Sequence, residues 1–216
     1  MASHDDICSY LNGKTFSSLN PNMQNFITYI TGGITGNPLI SCIVIDNNLI
    51  KPNLDIEINS THYYISTLDG EGNSVHEEQP HDIENFLRTL GAPDDVITCI
   101  HDLCYSTNHT TGFINSDLIT NPTRIPLTRQ FFHANRTIFI DRALRTGIYG
   151  GQPTQFVYWG NVSYGLIENI NTVISTLSGY VANTGLIAIG GLVLQRKDRF
   201  VNHNIQLKWP HPANDL

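Results

Sequence analysis

Hydrophobic and polar positions in the first part of the chain alternate with two periods, one typical of helices and one typical of strands. Apolar side chains recur at helical spacing over residues 21–29, after Asn20 as the candidate N-cap. Residues 40–46 form a compact β-branched run, which favours a buried strand. Residues 82–90 and 93–104 again carry apolar side chains on one helical face. The pattern predicts a helix, a strand and two more helices.

Between the first strand and the paired helices, the pattern predicts a β-hairpin. Apolar residues alternate strictly with polar ones over residues 54–59, and Asn59 begins a short turn. Residues 62–68 are rich in aromatic and β-branched side chains, as expected for the returning strand. The glycine-containing segment 69–73 then makes a sharp turn, and a helix opens at residues 79–84.

The second half of the chain alternates between helical and extended patterns. Residues 164–177 fit either a helix or a pair of short strands. The remaining predictions, in chain order, are a polar loop over 105–123, a helix over 125–146, and strands over 155–159, 186–194 and 203–209.

Composition describes one folded domain. The chain has 216 residues, of which 40% are hydrophobic and 14% charged, so it is long enough and apolar enough to bury a core. We therefore expect a single domain over residues 1–216. No run of apolar residues is long enough for a membrane span, and the first residues lack the features of a secretory signal. We expect no membrane association and a cytoplasmic location.

Charge is distributed unevenly, although the net charge is −7. Residues 1–123 carry three lysines and arginines against fifteen acids, whereas residues 124–216 carry nine against four. One interpretation is an acidic half that holds metal and a basic half that holds phosphate. The other is a chance asymmetry.

The hairpin carries the residues best suited to chemistry. Asp55 and Glu57 share one face of its first strand, and Ser66 and Leu68 share one face of its second. Carboxylates that converge beside a turn suit a phosphodiesterase dependent on a divalent metal, because hard cations prefer oxygen ligands. The alternative is a solvated polar face of an exposed hairpin.

These residues also carry a resemblance. The segments LDIEI and YYISTLDGEGNSVHEE are similar to a block of the PD-(D/E)xK nuclease superfamily, the restriction-endonuclease-like proteins. In that block an aspartate strand precedes a strand ending in Ser-x-Lys, followed by Gly-x-Gly-Asn-Ser-Val-His-Gln-Glu. Looser matches lie at residues 142–147, 158–160, 192–197 and 205–209. The resemblance implies an α/β fold with a mixed central β-sheet flanked by helices, and a metal-dependent DNA endonuclease of the type II restriction class.

The resemblance also implies roles for individual residues. Asp55 would bind Mg²⁺, or Mn²⁺ in its place, with Glu57 or Glu78 as supporting carboxylates. Ser66 occupies the position equivalent to the family's second acid. His76 would orient substrate or water.

Contacts to double-stranded DNA would come from basic side chains and from the glycine turn. Arg129 and Arg136, with His133, fall on one helical face, which suits either phosphate contacts or ordinary solvation. The full set of candidate nucleic-acid contacts is Asn73, Ser74, Arg129, Arg136, Arg196, Lys197, Arg199 and Lys208. A homodimer is compatible with this class of protein.

One position departs from the family pattern. Leu68 stands where the family has its lysine, and leucine can neither hold charge near a phosphate nor help to deprotonate water. Three explanations stay open: another base such as Lys208 replaces the lysine, Asp46 and Glu57 form the acid pair instead, or the site is inactive. An inactive nuclease-fold module that binds DNA or a partner protein is therefore the alternative function, and an unrelated interaction protein is the third.

Overall fold

The computed structural model describes residues 3–46, 50–70, 73–105, 121–183, 187–197 and 203–216. These residues divide into two compact units. The first unit is Met1–Asn73, Leu144–Val173 and His211–Leu216, and the second is Ser74–Ala143 and Ile174–Pro210. Arg199 lies outside the described residues, as does most of the loop predicted over 105–123. The single domain expected over 1–216 stays a prediction.

The described chain contains helices and strands throughout. The helices are α1 Ser3–Leu11, α2 Pro21–Thr31, α3 Pro80–Thr89, α4 Asp94–Tyr105, α5 Arg124–Ala134, α6 Arg136–Asp141, α7 Ile170–Ser178 and α8 Pro212–Asp215. The strands are β1 Ile40–Val44, β2 Leu54–Ile58, β3 Thr61–Leu68, β4 Asn73–Glu78, β5 Phe156–Gly160, β6 Gly165–Asn169, β7 Ile187–Ile189, β8 Leu192–Arg196 and β9 Ile205–Trp209. No helix in these ranges is long and apolar enough to cross a membrane.

The first unit is built on a five-stranded sheet with the order β1-β2-β3-β5-β6. All neighbouring strands are antiparallel except β3 and β5, which are parallel. Helices α1 and α2 bury their apolar faces in one core with the inward side chains of this sheet. The predicted mixed β-sheet flanked by helices is therefore confirmed.

Local sequence signals explain the boundaries of α2. The side chain of Asn20 accepts a hydrogen bond from the Met23 amide at 2.9 Å, which satisfies one of the free amides at the start of the helix. Gly32 ends the helix in the left-handed conformation, with φ of 70°. Apolar positions between these ends face the core, as their spacing predicts.

The β2–β3 hairpin also follows its sequence pattern. Asn59 and Ser60 both have positive φ, 51° and 62°, as a two-residue turn between twisted strands requires. This turn fixes the register, in which Asp55 faces Tyr64 and Glu57 faces His62. Leu54, Ile56 and Ile58 point to the core and the two acids to the other face of the sheet.

The second unit contains a four-stranded sheet with the order β4-β9-β8-β7, together with helices α3 to α6. Strand β4 was not predicted, because the sequence interpretation ran from the glycine turn directly to a helix. Its buried positions are His76 and Glu78. Polar residues thus occupy the core-facing positions, and the hydrophobic pattern that signals a strand is absent.

The strand predicted over 186–194 is wrong, because the structure has a hairpin there. Gly190, with φ of 59°, turns the chain between β7 and β8. A Cβ atom at Gly190 would lie 2.2 Å from the carbonyl oxygen of Leu177, so the turn fits only glycine. The apolar run concealed the turn, since both strands of the hairpin are buried.

The helix predicted over 125–146 is interrupted. It is divided at Asn135 into α5 and α6, and a π-helical turn, Arg142–Thr146, completes the segment. The Asn135 side chain donates to the carbonyl oxygen of Phe131 at 2.9 Å, a local hydrogen bond that competes with helix continuation. The ambiguous residues 164–177 form a strand followed by a helix.

Candidate functional site

The acids of the hairpin lie on the face of the first sheet opposite α1 and α2. Asp55 and Glu57 come from β2, and His62, Tyr64 and Ser66 come from the same face of β3. All five side chains are at least partly exposed. The structure therefore brings together Asp55, Glu57 and Ser66, three of the residues predicted from the sequence.

Asp55 has a specific partner in this group. The Nδ1 atom of His62 lies 2.8 Å from Oδ1 of Asp55, with 46% of the histidine side chain and 20% of the aspartate side chain exposed. The hydrogen bond and the charge of Asp55 raise the pKa of His62. His62 also stacks on Tyr64, with the ring centroids 6.3 Å apart. These two contacts hold the imidazole over the acid.

Sequence reasoning missed His62. The available signal was the two-residue turn at Asn59 and Ser60, which fixes the pairing of the strands. That pairing places His62 opposite Glu57 and diagonal to Asp55. A histidine diagonal to a candidate metal-binding acid is a recognisable feature once the register is known.

Ser66 and Leu68 lie further along the same face of β3. The pairing continues one residue beyond the start of β2, since the amide of Asn53 donates to the carbonyl oxygen of Ile65 at 2.8 Å. Ser66 is thus diagonal to Asp55, at about 7–8 Å between backbone positions. Leu68 pairs with Trp159 of β5 and is only 7% exposed. The position that matches the lysine of the resembled nucleases in sequence is therefore apolar and buried.

Oxygen ligands at this face suit a hard cation. Asp55 and Glu57 are two residues apart on one strand, about 7 Å between Cα atoms. In the ranges that the structure describes, no group of three or more His, Cys, Asp or Glu residues forms a complete metal cage. Mg²⁺ does not require one, because it is held by one or two carboxylates together with waters and substrate phosphates.

The alternative acid pair of Asp46 and Glu57 does not form. Glu57 pairs with Ser41 of β1, and Asp46 lies five residues beyond Ser41 along the same chain direction. At the rise of an extended chain, that separation is about 16 Å. One ion cannot bridge carboxylates this far apart.

Glu78 and His76, both predicted site residues, lie on β4 in the second unit. Glu78 is 3% exposed, and its two oxygens accept hydrogen bonds from Nε and Nη2 of Arg142 at 2.7 and 3.3 Å. The Nε2 atom of His76 contacts the same carboxylate. A metal role for Glu78 would require this ion pair to open.

The same contacts determine the charge state of Glu78. Burial alone raises the pKa of the carboxyl group, but hydrogen bonds and charge from His76 and Arg142 outweigh it, so the pKa is lowered. Arg142 also packs over the ring of Phe86, 4.1 Å from the centroid. This arrangement is a buried ionic cluster within the second unit.

Residues of the glycine turn have local structural contacts. The Asn73 side chain, at the start of β4, donates to the carbonyl oxygen of Gly70 at 2.9 Å. Ser74 is exposed. The roles of Asn73 and Ser74 in nucleic-acid binding stay predictions.

The predicted basic contacts have different environments. Arg129 is exposed on α5, whereas Arg136 donates from Nε and Nη1 to the carbonyl oxygens of Ser178 and His133 at 2.5 and 2.8 Å. The break at Asn135 removes Arg136 from the helical face that it was predicted to share with Arg129. Its guanidinium group instead links α6 to the end of α7.

The remaining basic candidates lie on β8 and β9 or just beyond them. Lys197 pairs with Glu77, and Arg196 lies 3.4 Å from the His203 ring through Nη2. Lys208 faces Val193 across the sheet and is partly exposed. Lys208 belongs to the second unit, whereas Leu68 belongs to the first.

Comparison with known proteins gives a match among solved structures but none among family models or curated proteins. No protein-family model matches the chain. No curated protein matches it. Among solved structures, the chain is similar to the crystal structure of the restriction endonuclease MspI in complex with its cognate DNA. The TM-score is 0.61 at 12% sequence identity, and the match covers 93% of this chain and 86% of that one. The chain therefore has a restriction-endonuclease-like fold.

Proposed function

We propose that this protein is a metal-dependent DNA endonuclease of the type II restriction class, which hydrolyses phosphodiester bonds in double-stranded DNA. The observation that carries the proposal is the position of Asp55 in this fold. It lies near the start of β2, on the free face of the hairpin, with Glu57 and Ser66 beside it. In the resembled nucleases an aspartate strand precedes the strand that ends in Ser-x-Lys, and Asp55 matches that aspartate in sequence.

Asp55 and Glu57 would hold Mg²⁺, with the hydroxyl or backbone carbonyl oxygen of Ser66 as a further ligand. Mn²⁺ accepts the same oxygen ligands. A bound ion would stabilise charge on the phosphate and favour ionisation of a water nucleophile. Glu78 is left out of this ligand set, because Arg142 already engages both of its oxygens.

The protein's own side chains would supply orientation and charge. His62 fixes the Asp55 carboxylate through the 2.8 Å hydrogen bond. It is also a basic group beside the acid, on the face where Leu68 replaces the usual lysine. Lys197 and Lys208 would contribute phosphate contacts, whose strength falls with increasing salt. A homodimer and a cytoplasmic location belong to the same proposal.

A second function is favoured by one observation, the burial of Leu68 at the lysine position. A nuclease that has lost this lysine without a replacement would keep its fold and its contacts to DNA but would not cleave. The alternative is therefore an inactive module that binds DNA or a partner protein.

Cleavage assays distinguish the two functions. Purified protein is incubated with mixed-sequence plasmid and phage DNA in Mg²⁺ and, separately, in Mn²⁺. The proposal predicts discrete fragments that disappear in Asp55→Ala and persist in Asp94→Ala, which removes an exposed carboxylate of α4. Intact DNA in both metals, with binding retained, would establish the inactive module.

A further inference from the structure

An open cavity of about 450 Å³ lies beside α5 in the second unit. Arg129, Gln130 and His133 line it from the helix, and Val181 and Asn183 line it from the segment between α7 and β7. Helix α5 packs on β7, and Ala188 of β7 also lines the cavity. Its volume is within the range of small-molecule sites, about 300–1,000 Å³.

The lining combines three kinds of group. Gln130 and Asn183 each offer a donor and an acceptor, whereas Arg129 offers donors only. The His133 ring and the Val181 side chain offer a planar and an apolar surface. Among the described lining residues none is acidic.

These groups match a nucleobase better than a phosphate. A phosphate presents acceptors only, so the acceptor oxygens of two amides would find no partner on it. A base has donors and acceptors along its edge and apolar faces that stack on aromatic or histidine rings. A concave site also admits a base only when that base is unstacked from its neighbours.

We infer that this cavity binds an unstacked nucleobase of a DNA strand, with Arg129, Gln130 and Asn183 on its edge and His133 against its face. The inference rests on the proposed function for its choice of nucleic acid as ligand. It does not depend on cleavage or on metal. It extends the proposed function by giving the second unit a contact that recognises bases.

The test is binding of the full-length protein to two labelled single strands of equal length, measured by fluorescence anisotropy. One strand carries mixed bases, and the other carries abasic sugars on the same phosphate backbone. Tighter binding to the base-bearing strand is expected. In Arg129→Ala, Gln130→Leu and Asn183→Ala, its affinity should fall by about 5- to 150-fold per lost base contact, while the abasic strand is affected much less.

Two controls separate base binding from general charge. Arg88→Ala removes an exposed arginine of α3, outside the cavity lining, and should affect both strands slightly and equally. His133→Phe retains a planar ring and should bind as the unaltered protein does, whereas His133→Ala should lose affinity for the base-bearing strand.

Equal affinity for both strands, or equal losses in Arg129→Ala and Arg88→Ala, would overturn the inference. Base-dependent binding by a protein that cleaves no DNA would support the cavity while overturning the proposed nuclease. DNA cleavage by a protein whose cavity variants bind DNA unchanged would support the proposed nuclease and overturn the inference about the cavity.

Discussion

His62 and Asp55 form a hydrogen-bonded pair across the β2–β3 hairpin, with Nδ1 of the imidazole 2.8 Å from Oδ1 of the carboxylate. The pair depends on the register of the hairpin, since His62 faces Glu57 directly and reaches Asp55 diagonally. A hydrogen-bond partner of this kind orients a carboxylate that could bind metal and limits the rotation of that carboxylate. We therefore treat His62 as a positioning residue for Asp55.

Substitution of His62 by alanine should reduce cleavage by about 10- to 100-fold, the usual cost of losing an outer partner of a metal ligand. The expected cause is a carboxylate that is no longer oriented, so the Mg²⁺ concentration needed for half-maximal cleavage should rise. Cleavage rates measured across a Mg²⁺ titration check this. His81→Ala, an exposed histidine of α3, is the control. Unchanged Mg²⁺ dependence in His62→Ala would contradict the positioning role.

Introduction of lysine at position 68 tests the departure from the family pattern. If the apolar residue limits the reaction, Leu68→Lys should increase the cleavage rate by about 10²-fold, the lower end of what a positioned proton-transfer group contributes. Leu68→Met conserves volume and should change nothing. The measurement is initial cleavage rate alongside melting temperature, because a buried ammonium group lowers stability. A folded Leu68→Lys protein without increased cleavage would mean that another residue has replaced the lysine or that the site is inactive.

Removal of Arg142 should destabilise the second unit strongly. Glu78 is buried, so Arg142→Met would leave its carboxylate without the guanidinium partner, at a cost of about 3–5 kcal/mol in the free energy of unfolding. The neighbouring pair of Glu77 and Lys197 is more exposed, and Glu77→Ala should cost about 0–1 kcal/mol. Urea denaturation of both variants gives the comparison. Similar losses would show that the buried cluster has no special role.

Glu78 should also make stability depend on acidity. Its pKa in the folded protein is lowered from the ordinary value of 4.5, so the folded state binds fewer protons than the unfolded state as the pH approaches that value. The contribution of Glu78 to the free energy of unfolding is therefore fully present above the ordinary pKa. It is lost as the pH falls through the lowered pKa of the folded protein. Urea midpoints between about pH 6 and pH 3 measure this loss. The loss should be smaller in Glu78→Gln, and an identical pH profile would contradict the assignment.

The local pattern of the sequence determined much of the first unit. Asn20 and the apolar stripe that follows it were sufficient to predict α2, and strict alternation was sufficient to predict β2 and its polar face. The resemblance carried by the hairpin implied the fold that the structure confirms. These features depend on neighbouring residues along the chain, which is why they were predictable.

Tertiary structure decided the rest, because long-range contacts replace the local signal. Strand β4 was not recognisable from the sequence because its core-facing positions are His76 and Glu78. Arg142, 64 residues from Glu78 along the chain, supplies the charge that allows this carboxylate to face a core. Gly190 turns a uniformly apolar run into a hairpin because the carbonyl of Leu177 leaves no room for a side chain. His62 reaches Asp55 only through the pairing of two strands. The sequence by itself determined which residues carry charge and which segments are helical or extended, and only the folded chain determined which of them meet.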